Sequence, residues 1–330
     1  DGSRTTTDAR GMLYEFEYTG GKALCITTVG INNLEMRDKR SQSWIINPSY
    51  FRDLTFDFVK LDAATGMPTP AQINRKVINS LVELEDELAY LANASAVALD
   101  IETSNVGMQD GKSPNPYQDE IYAVGFGALL NKEPYISYNI QVPIELCRDA
   151  HARVIMRRFL KHYHGKVILH NAMFDVSFLI KFLGFDFLNV DIVDTMLLAY
   201  SLDERPITER MGSLSLKYLS KLYFNTPDFS FSWEDFYSLS DEDKNWHDLY
   251  FYLGIDTHST VALYYELLKE LKDEPDIAPL LDNLLYPATV RLAHVILNGM
   301  PVDREFLAKK IADYKLKITN FTSGIYSLPD

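Results

Sequence analysis

The segment Ala96-Val97-Ala98-Leu99-Asp100-Ile101-Glu102 joins an apolar run of strand length to two carboxylates at its end. It reads as a buried strand, and side chains two apart on a strand leave the same face. The Cα atoms of Asp100 and Glu102 then lie roughly 6.7 Å apart, twice the rise per residue, so both carboxylates reach a common cation. Acids at the end of an apolar strand are costly unless they are solvated, paired or metal-bound. For an isolated Asp-x-Glu a solvated strand end is the plain alternative, so the rest of the chain has to decide.

The flanking pattern predicts more of the same sheet. Ile121 to Ala128 reads as a second strand and Tyr135 to Tyr138, just after Pro134, as a third. Three strands in succession with a short last link suggest an antiparallel meander. Upstream, Ser80 caps a predicted helix whose Leu81, Leu84, Leu88 and Leu91 share one face. Downstream the spacing predicts a helix over 152–163, a strand over 167–169 and a helix over 176–183 stopped by Gly184. Further helices are expected over 192–201, 214–222 and 240–271. Strands first and alternating elements after them make an α/β mixed sheet flanked by helices.

The ends read differently, giving zones of 1–75, 76–272 and 273–330. The first is β-rich, with short strands at Met12 to Tyr18, Leu24 to Val29 and Trp44 to Ile46, closed by a Pro- and Gly-containing linker from Thr65 to Pro70. The last is helical: Leu281, Leu284, Leu285, Ala288, Leu292, Val295 and Ile296 keep helical spacing up to Asn298-Gly299, and Asp303 caps a further helix. Its apolar faces and the missing initiator Met are what the start of something larger, or a fragment, would show.

Two more acidic motifs follow the first. His170-Asn171-Ala172-Met173-Phe174-Asp175 puts an amide at the exit of the 167–169 strand and an acid in the opening of the next helix. Helix capping by Asp175 is the plain reading. Tyr252-Leu253-Gly254-Ile255-Asp256 sets a phenol and a carboxylate on one helical face, at i and i+4. A core Tyr beside a surface Asp is the plain reading there. Each alternative is ordinary; all three holding at once, in this order, is not.

The formal net charge of −14 is awkward for a chain that meets nucleic acid, which ordinarily shows as a basic face. Either this is an acidic protein that never meets nucleic acid, or some carboxylates cage cations that supply the local positive field. With 47% hydrophobic and 24% charged residues the composition is that of a soluble globular protein. No apolar run reaches the ~18 to 20 residues of a membrane helix, and the first seven residues lack the apolar core of a secretory signal. Cys25 and Cys147 are far apart and without metal spacing, so a reducing, cytoplasmic setting with no membrane partner is expected. Gly-rich phosphate loops, clustered Cys/His ligands and a Gly-x-Ser-x-Gly turn are all missing from the sequence.

Strand Asp-x-Glu, then Asn-x-x-x-Asp, then helical Tyr-x-x-x-Asp resembles the DEDD superfamily of 3′→5′ exonucleases. The histidine branch would carry His five residues before the last acid; that position is Phe251, so the resemblance is to the tyrosine branch. The segments Asp194 to Tyr200 and Leu214 to Leu219 also look like that family, which extends the resemblance over about 76–272. Beyond it, Leu285 to Leu292 and Asn298 to Asp303 are similar to the passage from exonuclease into polymerase domain in family A DNA polymerases.

The resemblance implies a ribonuclease H-like fold and two divalent ions, Mg²⁺ or Mn²⁺, roughly 4 Å apart. It implies that Asp100 bridges both, that Glu102 and Asp256 complete the one serving the attacking water, and that Asp175 holds the second near the leaving 3′ oxygen. Tyr252, with an ordinary pKa of about 10, is then cast as orienting the water rather than as a general base. Glu102 is placed at the terminal 3′-hydroxyl, Asn171 at the backbone beside the scissile bond, and Thr103, Val106 and Phe174 among the substrate contacts, with core packing the equal alternative for Val106 and Phe174. The implied partners are a DNA 3′ end, preferably single-stranded, and a polymerase domain in the same or an associated chain. The polymerase's own motifs are absent, so this chain by itself is not expected to synthesise DNA. A small basic cluster, Lys161, His162, His164 and Lys166, reads as solvated surface before it reads as a phosphate track. Two rivals stay open: an exonuclease of the same superfamily acting on RNA, and a non-catalytic domain that only binds nucleic acid.

Overall fold

The computed structural model of the chain describes residues 13–19, 21–28, 35–37, 44–46, 53–55, 57–58, 60–61, 72–107, 113–132, 135–204, 214–224 and 231–326. The expected linker at 65–70 lies outside them. The chain divides into two compact units, Asp1–Ala293 and His294–Asp330.

In the first unit, β1 (Leu13–Tyr18) and β2 (Gly21–Ile26) pair antiparallel, as do β3 (Glu35–Arg37) and β4 (Trp44–Ile46). The main sheet holds β5 (Gln72–Val77), β6 (Ala96–Thr103), β7 (Ile121–Lys132), β8 (Tyr135–Val142), β9 (Lys166–Leu169) and β10 (Ile192–Asp194). Its order is β10-β9-β6-β7-β8-β5. The expected meander is there, since β6–β7 and β7–β8 are antiparallel, while β9 and β10 add parallel neighbours on one side and β5 on the other.

Two strands of the main sheet were not anticipated. The sequence pattern places Ile192–Asp194 in the helix that follows, but the segment pairs with Val167–Leu169, and the helix itself is Thr195–Leu202. Three residues, two of them apolar, are too few to show a period of two. β5 lay across the expected boundary at 75 and extends the sheet upstream to Gln72. Its Gln-Ile-Asn-Arg-Lys-Val sequence is polar because it forms an edge, where charged side chains face solvent.

The alternation in β6 sorts its two faces. Val97, Leu99 and Ile101 belong to the largest apolar cluster. There they meet Leu84 and Leu88 of helix Leu81–Leu91, Met156 and Leu160 of helix Ala150–His162, and Val176 and Leu179 of helix Ala172–Leu183. Full burial of such a side chain contributes roughly 1.5–3 kcal/mol. Ser80 caps the first of these helices as its sequence implies, accepting from the Glu83 amide at 3.2 Å.

The other face carries Ala98, Asp100 and Glu102, and it lies under the long helix Trp246–Leu271. That helix begins at Asn245 rather than 240, because residues 240–243 turn on themselves with Asp243 N–H donating to Ser240 O at 3.0 Å. Gly125 of β7 stands opposite Asp100 in the ladder. A Cβ at Gly125 would sit 2.8 Å from both Leu253 Cγ and Thr257 Cγ2 of the helix. One at Gly254, on the helix itself, would sit 2.6 Å from Arg75 Cδ. The helix therefore rests directly on sheet backbone.

In the second unit Gly299 adopts φ 66°, and Asp303 caps helix Arg304–Tyr326, its Oδ1 accepting from the Phe306 amide at 2.9 Å. Phe306, Ile311, Ile318 and Phe321 of that helix are exposed. Among the described residues no helix is long and apolar enough to cross a membrane.

Gly125→Ala should lift the long helix from the sheet and cost about 1–3 kcal/mol by overpacking. Urea denaturation measures this; a variant as stable as the parent would show that the contact relaxes freely.

Candidate active site

Three elements converge at one end of the sheet. β6 supplies Asp100 and Glu102, the helix after β9 supplies Asp175, and the long helix supplies Tyr252 and Asp256. Carboxylate oxygens of Asp100, Glu102 and Asp256 all lie within 4.8 Å of one another. Asp175 is 2% exposed, and its Oδ1 has no hydrogen-bond partner among the described residues. It is close enough for its charge to act on both Asp100 and Glu102.

Burial and mutual repulsion set the electrostatics. Desolvation pushes Asp100 well above the usual carboxylate range, with the charges of Asp175 and Asp256 adding to it. Glu102 is raised in the same way, by burial first and then by Asp100, Asp256 and Asp175. Asp175 is raised by burial against the pull of its own amide and that of Ile101. Asp256 is pushed up by burial to about 7, although the Tyr252 phenol hydrogen-bonds to it and Lys217 lies near. Tyr252 itself is held above its ordinary value by burial and by the surrounding acids. A site that disfavours its own ionised form is one that gains from bound positive charge.

Asp175 does not cap its helix. That task falls to Asp194 at the end of β10. Its Oδ1 accepts from the Asn171 amide at 3.1 Å and its Oδ2 from Ala172 at 2.8 Å; Oδ1 also takes Met196 N–H at 2.9 Å and Leu197 N–H at 3.3 Å. One carboxylate thus terminates two helices, and Asp175 is left to face the other acids. Asn171, exposed, takes the left-handed conformation at φ 64°, which Asn tolerates better than most residues. His170 Nε2 donates to Leu214 O at 2.9 Å, tying the exit of β9 to the segment before helix Leu216–Tyr223.

The remaining expected contacts spread out. Thr103 is buried, and its carbonyl accepts from the Tyr237 hydroxyl at 2.7 Å. Val106 lies beyond the strand end and is 74% exposed. Phe174 is half-buried on Phe178, ring centroids 5.0 Å apart, and packs against the main core. The basic cluster sits at the Lys166 end of β9, the opposite end from His170, with Lys166 paired to Asp191 at 3.1 Å.

Sequence reasoning missed an aromatic wall. Phe231 and Trp233 stand 5.5 and 5.8 Å from the Tyr252 ring, and Tyr237 stacks on Trp233 at 5.3 Å. It missed Lys217 too, whose ammonium lies 5.3 Å from the Tyr252 ring centroid. The density of aromatics over 231–237 was the available signal.

The chain is similar to known proteins over most of its length. A family model described as 3′-5′ exonuclease matches residues 76–272. The DNA polymerase of Escherichia phage T5 is 25% identical over 257 residues, covering 74% of this chain and 28% of the phage protein. The chain thus spans less than a third of that relative's length. Among solved structures, the POL domain of Pol1 from M. smegmatis, in complex with DNA primer-template and dNTP, aligns at 15% identity. It does so with a TM-score of 0.53, over 76% of this chain and 37% of that one, a likeness of fold. Escherichia coli RNase D, an exoribonuclease, aligns over 67% of this chain and 51% of its own, at 16% identity and a TM-score of 0.44. With the family model spanning most of its length, this chain belongs to the 3′-5′ exonucleases of the DNA polymerase A type.

Proposed function

We propose that this chain hydrolyses phosphodiester bonds at DNA 3′ ends, as the proofreading part of a polymerase in the same or an associated chain. The observation that carries the reading is the meeting of Asp100, Glu102 and Asp256 oxygens within 4.8 Å, with the buried Asp175 beside them and a phenol on Asp256. The phage polymerase relative favours DNA over RNA.

The donor set fits hard divalent cations, Mg²⁺ or Mn²⁺, because every candidate ligand is an oxygen and the Asp175 Oδ1 has no hydrogen donor among the described residues. Asp100, Glu102, Asp175 and Asp256 would hold two of them. Bound there, such cations supply Lewis-acid charge to the scissile phosphate and ease the ionisation of the attacking water. The chain's own groups do the rest. The Tyr252 hydroxyl, kept protonated by its raised pKa, orients the water rather than taking its proton. The exposed Asn171 amide and the Glu102 carboxylate position the terminal nucleotide, with Thr103, Val106 and Phe174 around it. Phe231 and Trp233 offer a half-buried apolar wall on which an unpaired base can stack, which favours single-stranded ends.

Asp100→Ala combined with Glu102→Ala should abolish shortening of 5′-labelled single-stranded DNA, and a chelator should do the same until Mg²⁺ or Mn²⁺ is restored. Retained digestion in the double variant would refute the site. A matched RNA oligonucleotide should be cut more slowly; faster cutting would favour the exoribonuclease reading. Tyr252→Phe should slow hydrolysis on the order of 10²-fold while DNA affinity changes little, and a parental rate would remove its role.

The raised carboxylates also fix a pH trend. Asp256, at 3.8 ordinarily and about 7 when folded, takes up protons more readily in the native state. Its stabilising contribution is complete below the lower value and is lost as pH rises through the upper one. His258, held by burial at about 4, acts in the opposite sense below its ordinary 6.5, so the site's share is the difference between parent and Asp256→Asn. In chelator, the melting temperature of the parent should fall relative to Asp256→Asn as pH rises from 5 to 8. Added Mn²⁺ should stabilise the parent more at pH 8 than at pH 5. A relative rise across that window would contradict the assignment.

A further inference from the structure

Lys217 stands at the mouth of the site and has no part in the roles above. Its ammonium lies 5.3 Å from the centroid of the Tyr252 ring, whose phenol hydrogen-bonds to Asp256. The residue is exposed, so the ammonium that lies over the ring is also open to solvent and to a ligand. Its charge reaches Asp256, where it works against the effect of burial.

Local helix physics disfavours a cation at this position. Lys217 is the second residue of helix Leu216–Tyr223, whose first turn holds no acid. A helix N-terminus carries partial positive charge and favours anions, so a lysine there costs rather than helps. Yet the position is firmly held. Ser215 Oγ accepts from the Tyr218 amide at 3.4 Å, and Leu214 O accepts from His170 Nε2 at 2.9 Å. The segment bearing Lys217 is therefore tied to the same strand exit that leads to Asp175. A lysine kept against its helix's own preference, over the ring beside Asp256, Glu102 and Asp100, points to an anion delivered from outside.

The reaction supplies one. When the water oxygen bonds to phosphorus, the P–O3′ bond breaks and its electron pair goes to the 3′ oxygen, which takes a proton and becomes the new 3′-hydroxyl. The phosphate, singly charged as a diester, becomes the 5′-monophosphate of the released nucleotide, with a charge of about −1.5 to −2 at pH 7. We propose that Lys217 binds the scissile phosphate from the Tyr252 side and remains on the 5′-phosphate of the product nucleotide. This rests on the exonuclease reading of the site.

Lys217→Met keeps the stem and removes the charge, whereas Lys217→Arg keeps both. The full chain and each variant are titrated calorimetrically, first with Mn²⁺ and then with thymidine 5′-monophosphate in Mn²⁺, beside a cleavage assay on 5′-labelled single-stranded DNA. The expected result is a loss of nucleotide affinity in Lys217→Met of about 10-fold or more, slower cleavage, and Mn²⁺ affinity no weaker than the parent's. Lys217→Arg should stay near the parent. Unchanged nucleotide affinity in Lys217→Met overturns the proposal, and so does a parallel loss of Mn²⁺ binding, which marks a structural role. A parent that binds the nucleotide through Lys217 but cuts nothing refutes only the exonuclease reading. One that neither binds nor cuts refutes both.

Discussion

Gly125 is the register partner of Asp100, and the site depends on what that glycine lacks. With no Cβ in the way, Leu253 and Thr257 settle against the strand, and the residues just before each of them, Tyr252 and Asp256, come down beside Asp100 and Glu102. Ala98 and Ala123, both fully buried on the same side of the sheet, keep the neighbouring surface low. Two unit charges 4.8 Å apart repel by about 3 kcal/mol at an effective dielectric constant of 20. The acids do not gather of their own accord. Packing on the remote faces of strand and helix forces them together, and their upward-shifted pKa values record burial first, with mutual repulsion added at Asp100 and Glu102.

That division of labour explains what the amino-acid sequence made legible. The buried strand Ala96–Thr103, the meander after it and the caps at Ser80 and Asp303 follow from short-range rules, and each appears where the pattern put it. The three acidic motifs were also visible, because their spacing reflects strand and helix periods. What stayed hidden depends on distant partners. Ile192–Asp194 is a strand only because Val167–Leu169 lies beside it, and Gln72–Val77 only because β8 offers an edge. Phe231, Trp233 and Lys217 come from separate segments and meet only at Tyr252, so no local window contains them.

The net charge of −14 now has a more specific meaning. Part of this formal charge belongs to the four buried carboxylates of the site, whose ionised forms would gain from bound positive charge. Exposed ion pairs such as Arg148–Glu120 and Lys166–Asp191 cancel within themselves, add nothing to the net charge and contribute little to stability in water. A bulk charge that argued against nucleic acid therefore says nothing about the local field at the strand end.

Asp194 shows how easily such a count misleads. It lies within the same fold and next to the same loop, and a list of acids alone would enrol it with the ligands. Its lone pairs are already committed to the amides of Asn171, Ala172, Met196 and Leu197. It works as a clasp: the two helix starts that it gathers share a single fastening, so a disturbance on the Thr195 side is carried to the turn that aims Asp175. A carboxylate that touches no substrate thereby governs how steadily another one is held.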